Sequence, residues 1–138
     1  MSEFGDLLGW LIIIAYFGTM LNYVLKVVSK KYGKKIASNP EGKKLVNILM
    51  KVFVRQHRHW GFAAILFLLL HFMLQFNQFG ISITGIIAAS ILILQIFIGM
   101  YGAYLHKKRA GIWFWVHRFI ALLLVFTIAL HLLLAELM

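Results

Sequence analysis

Six histidines occur in this 138-residue chain, and four of them are spaced as two matching pairs. His57 and His71 are fourteen residues apart, and so are His117 and His131. Along an α-helix fourteen residues rise about 21 Å and turn the side chain by only about 40° from its starting direction. Both rings of a pair therefore leave their helix from nearly one face, at two heights. Imidazole can ligate a metal, share a hydrogen bond or carry a proton near neutral pH. The stretches that hold the pairs are RQHRHWGFAAILFLLLHF (55–72) and VHRFIALLLVFTIALHL (116–132). Nothing ionisable lies between Trp60 and Leu70, or between Arg118 and Leu130.

The elements that position these rings follow from composition. Hydrophobic residues make up 62% of the chain and charged residues 13%, too apolar for a water-soluble domain of this length. Four apolar runs stand out, near residues 7–28, 60–76, 83–105 and 112–137. A helix needs about 20 apolar residues to cross a bilayer. The second run is short, and it lengthens if its helix continues back through LVNILMKVFV (45–54). The single proline, Pro40, lies outside all four runs, so nothing forces a kink in any of them. None of the runs shows the alternation of a membrane-spanning strand. The expectation is an all-α, four-helix transmembrane bundle forming one domain over residues 1–138.

Charge sets the orientation. The net charge is +10, and the basic residues are concentrated. Lys26, Lys30, Lys31, Lys34, Lys35, Lys43, Lys44, Lys51, Arg55 and Arg58 crowd the first connection and its flanks, and Lys107, Lys108, Arg109 and Arg118 the third. The second connection, NQFGIS (77–82), carries no charge. Short loops rich in Lys and Arg stay in the cytoplasm. Both basic loops fall on one side if all four helices span, which places the N-terminus and the C-terminus outside. The charge reads as topology signal rather than as a nucleic-acid surface, so no nucleic-acid partner is expected. The first run has acidic residues before it and basic residues after it, the reverse of a cleavable signal peptide. With no cysteine, thiolate metal sites and covalent haem attachment are excluded. No glycine-rich phosphate loop appears. An integral protein of a bacterial or archaeal cytoplasmic membrane is the expected setting.

Helices two and four start on the same side and run parallel, so His57 sits level with His117 and His71 with His131. A titratable group inside a bilayer is a functional candidate, although a single histidine can serve as an interhelical hydrogen bond. Zinc takes three or four ligands close together, and these pairs are too far apart to share one ion. Haem iron takes one ligand on each face, which two opposed histidines supply. The expected cofactors are two haem b groups (iron protoporphyrin IX), with His57, His71, His117 and His131 as metal ligands. Gly85 and Gly99, also fourteen apart, are candidates to make room for a flat macrocycle, with simple helix packing as the alternative. Gly61 is a further candidate, and Gly5, Gly9 and Gly18 are candidates of looser spacing. Arg58 and Arg118 each follow a cytoplasmic-side histidine, where they can pair with haem propionates or lipid phosphate, or serve topology alone. His59 is about 120° off the face of His71, so His57 is preferred as ligand and His59 is left to touch a propionate or a quinone head. His106 has no mate at matched depth and reads as a surface histidine. WFW (113–115) reads as an interfacial anchor.

This H-x(13)-H pattern on two helices of a four-helix membrane bundle resembles the di-haem core of respiratory cytochrome b. It is also similar to the transmembrane domain of ferric reductases and NADPH oxidases, and to small bacterial membrane cytochromes b. The resemblance covers helices two to four and only weakly helix one. It implies that the four histidines are axial ligands and that electrons pass between a quinol or reduced flavin on one side and an acceptor on the other. The chain lacks the added helices that build quinone sites in the large cytochromes b, and it lacks a flavin or nicotinamide domain. The leading reading is a membrane electron carrier whose partners are membrane lipid, quinone and a redox partner protein or subunit. The alternatives are a reductase of ferric ion, quinone or oxygen at the haem edge, and a cofactor-free membrane anchor subunit.

Overall fold

The computed structural model describes residues 3–105 and 111–137. His106 and the basic residues Lys107, Lys108 and Arg109 lie outside the described residues. The chain is all-α, and among the described residues there is no strand. Four helices are long and apolar enough to cross a membrane, which makes this an integral membrane protein. The chain divides into two compact units, Met1–Met73 and Leu74–Met138, with the boundary inside the second of these helices.

The first unit opens with α1 (Glu3–Ala37). Glu3 and Asp6 lie in its first turn and Lys34 and Lys35 in its last, the charge order that the helix dipole favours. Its 35 residues extend about 52 Å, well beyond the roughly 30 Å of a bilayer's hydrocarbon core. Its lysine-bearing third therefore stands clear of the apolar part. Ser38 Oγ donates to the Lys35 carbonyl at 2.7 Å, and Asn39 N to the Ile36 carbonyl at 3.2 Å. Asn39 then caps α2 (Pro40–Leu49): its side chain accepts from Glu41 N at 3.0 Å, with Pro40 at the first helical position.

The backbone continues as a π-helical turn, Met50–Arg55, and breaks at Gln56 (φ −94°, ψ 12°). The stretch 45–54 is thus helical but does not lengthen the second span. The Val52 carbonyl instead accepts from the Trp60 indole at 3.0 Å, and the Trp60 ring stacks on Phe53 at 5.6 Å. The second span, α3 (His57–Phe79), is long enough without that extension, at 23 residues or about 35 Å. It ends at Gly80, whose φ of 79° and N–H bond to the Phe76 carbonyl (3.1 Å) form a left-handed cap.

In the second unit Ser82 caps α4 (Ile83–Met100), its Oγ accepting from Gly85 N at 3.3 Å. A π-helical turn, Tyr101–Leu105, follows, and α5 (Ile112–Leu137) returns antiparallel to α4. The contact between α4 and α5 repeats at three and four residues. On α4 and the π-helical turn after it, the contact runs through Gly85, Ala88, Leu92, Gln95, Gly99 and Gly102; on α5 it includes His117, Ile120, Leu124 and His131. This is the spacing by which two helices pack along a seam. Outward residues such as Phe97, Phe126 and Leu133 are exposed and apolar, as lipid contact requires.

Candidate functional site

All four paired histidines are half-buried. Each is set by its own unit. In the second unit the fourteen-residue spacing of the glycines meets the fourteen-residue spacing of the histidines. A Cβ placed on Gly85 would lie 3.2 Å from His131 Cε1, and one on Gly99 would lie 3.2 Å from His117 Cε1. Antiparallel helices bring the first glycine to the last histidine and the last glycine to the first. Both glycines thus leave room for an imidazole edge at close range.

His131 Nδ1 lies 2.9 Å from Thr84 Oγ1, which is 3.1 Å from Ser82 Oγ. The cap of α4 and the orientation of the ring are therefore one hydrogen-bonded chain. His117 Nε2 lies 3.3 Å from Gln95 Nε2. The amide therefore engages Nε2 of the ring, and which end of the amide faces it sets the tautomer. Gln95 is 7% exposed, and its Oε1 is buried with no hydrogen-bond partner.

In the first unit His71 Nδ1 lies 2.9 Å from the Gly5 carbonyl. A carbonyl only accepts, so Nδ1 carries the proton and the lone pair sits on Nε2. A Cβ on Gly9 would lie 3.6 Å from His71 Cε1, the looser counterpart of the contacts in the second unit. His57 bonds to the backbone of Thr19. Gly18 meets a different partner, the indole of Trp60, which a Cβ there would approach to 2.8 Å.

Gly61 would admit a Cβ with nothing within 4 Å. Arg58 is exposed, and the Arg118 guanidinium lies over the Phe114 ring at 3.9 Å, close to Trp115 at 5.6 Å. Trp113, Phe114 and Trp115 make edge-to-face contacts with their neighbours. His59 is exposed and lines a cleft with Lys51, Gln56 and Trp60.

Thr84 and Gln95 were not legible as site residues from the sequence. The available signal was position: Thr84 adjoins Gly85, and Gln95 stands four residues before Gly99 as a lone amide in an apolar run. Among the described residues no three His, Asp or Glu side chains come together as a metal cluster. Compared with protein families, characterised proteins and solved structures, the chain matches none.

Proposed function

We propose that this protein is a membrane b-type cytochrome that carries electrons across a bacterial or archaeal cytoplasmic membrane. It would hold two haem b groups through His57, His71, His117 and His131, two ligands to each. The basic connections would face the cytoplasm and both termini the outside. The donor is a membrane quinol or a reduced protein, and the acceptor is a partner protein or subunit.

The observation that carries this reading is the state of the His71 ring. Its hydrogen bond to the Gly5 carbonyl puts the proton on Nδ1 and the lone pair on Nε2. Metal-bound histidines commonly donate the other ring N–H to a carbonyl or similar partner, which fixes the tautomer and raises ligand basicity. The Gly5 carbonyl does this for His71, and Thr84 is placed to do it for His131. For His117 the Gln95 amide occupies Nε2, so ligation through that nitrogen requires the amide to swing aside. Gly85 and Gly99, having no Cβ, let the edges of His131 and His117 approach α4 closely.

Haem held by these histidines would supply a one-electron iron couple. The protein's part is to keep the rings fixed in an apolar surround. Reduced protein, purified with added haem, should show the sharp bands of low-spin bis-histidine iron at two haems per chain. Replacing His71 or His131 with Leu should leave one. A chain that takes up no haem would end this reading in favour of an anchor subunit. Turnover of ferric ion or oxygen by the purified chain with an artificial reductant would favour the reductase alternative.

A further inference from the structure

The first unit carries a second feature, separate from the histidine pairs. A cleft of about 620 Å³, open along one side, runs between α2 with its π-helical continuation and the start of α3. It is lined by Ile48, Lys51, Val52, His59, Trp60 and Ala63, with Gln56. A shallower basin of about 410 Å³ adjoins it, sharing Ile48 and Lys51 and adding Lys43, Lys44 and Asn47. The two form one groove with a chemical gradient. One end holds three lysines, and His59 stands on the wall. The other end is Val52, Trp60 and Ala63.

The apolar end leads into the membrane. Ala63 lies six residues along α3 from His57, about 9 Å inside the span. Trp60 forms a fixed wall there, because its N–H is held by the Val52 carbonyl and its ring is stacked on Phe53. Leu45, Ile48 and Val52 are exposed on the same segment at 58%, 50% and 38%. An amphipathic segment of this kind, with lysines beside it, lies in the headgroup layer of a bilayer.

We propose that this groove binds one anionic phospholipid, with its phosphate on Lys44 and Lys51 and an acyl chain along Val52, Trp60 and Ala63. Charge selects this occupant. Among the described residues neither basin is lined by an acidic side chain. A neutral amphiphile leaves the lysines unmatched, and an acidic peptide leaves the apolar end unmatched. An anionic lipid of the cytoplasmic leaflet matches both. The site is independent of the electron-transfer reading, since none of the four paired histidines lines it.

The test uses the full chain purified in an uncharged detergent, with retained lipid counted by native mass spectrometry. Phosphatidylglycerol is compared with phosphatidylcholine. Wild type should keep one phosphatidylglycerol in preference to phosphatidylcholine. The double variant Lys44→Gln/Lys51→Gln should weaken that retention by about thirtyfold, and Lys30→Gln/Lys34→Gln, with the same charge removed from α1, by clearly less. Ala63→Trp, which fills the apolar end and keeps every charge, should also release the lipid. Equal loss in the two lysine doubles, or equal retention of both lipids, would overturn the proposal. So would undiminished retention by Ala63→Trp, or a quinone or acidic peptide occupying the groove without displacing phosphatidylglycerol. The lysine variants change exposed side chains only, so they decide the matter even if Ala63→Trp does not fold.

Discussion

Adding one methyl group at Gly85 separates a ring-packing role from ordinary helix behaviour. The new Cβ would stand 3.2 Å from His131 Cε1 and 3.5 Å from Ser82. The best separation between carbons is about 3.5–4.0 Å, so the ring contact is short by about 0.3–0.8 Å. Overpacking of this kind costs about 1–3 kcal/mol. Gly→Ala in a helix offsets about 0.5–1 kcal/mol of that. Gly61→Ala is the matched control, because nothing lies within 4 Å of its added Cβ. The helix gain is common to both substitutions, so their difference isolates the ring contact at about 1–3 kcal/mol. Unfolding by a denaturing detergent in mixed micelles, followed by far-ultraviolet circular dichroism, measures it. Gly61→Ala should stabilise the protein and Gly85→Ala should destabilise it. In a His131→Ala background the penalty at Gly85 should vanish, since the partner is gone. Equal stability of Gly85→Ala and Gly61→Ala would refute the close approach of α4 to the imidazole.

Three further outcomes are expected. Thr84→Val keeps the shape of the side chain but removes the hydroxyl at His131 Nδ1, and should cost about 0.5–1.5 kcal/mol in the same unfolding assay. Gly102→Ala places a Cβ into the Trp113 ring; it should destabilise by about 1–3 kcal/mol and shift the tryptophan emission, and unchanged emission would argue against the contact. Trp60→Phe removes the indole bond to the Val52 carbonyl while keeping an aromatic ring, so amide exchange around residues 52–56 should speed up relative to wild type. If that exchange is unaffected, the indole is not what secures the break at Gln56.

Much of the fold was legible because apolar runs of membrane length leave few alternatives. The spans from Ile83 and Ile112, and the acidic start and basic end of α1, lie where composition and charge place them. The second span was harder to bound. LVNILMKVFV has helical spacing, and the sequence does not say whether a helix passes straight through it. The Trp60 indole takes the Val52 carbonyl from eight residues away, and no local propensity encodes that bond. At the site, the paired histidines and the Gly85/Gly99 pair could be read from spacing. Their partners could not, since the bonds of His71 to Gly5 and of His131 to Thr84 cross 66 and 47 residues.

The amino-acid order alone determined that this chain crosses a membrane as helices and that two of them repeat a histidine at a fourteen-residue interval. Both are periodic or compositional properties, carried by neighbours along the chain. The meaning of the interval came from tertiary structure. Fourteen residues are two heptads, and a straight helix drifts about 20° per heptad from the line of a seam. Spacing alone therefore leaves two rings some 40° apart. Packing against a second helix with the same interval puts glycine opposite histidine at both levels. Which nitrogen of His71 keeps its lone pair was likewise settled only in three dimensions, because the Gly5 carbonyl, distant in sequence, decides where the proton sits.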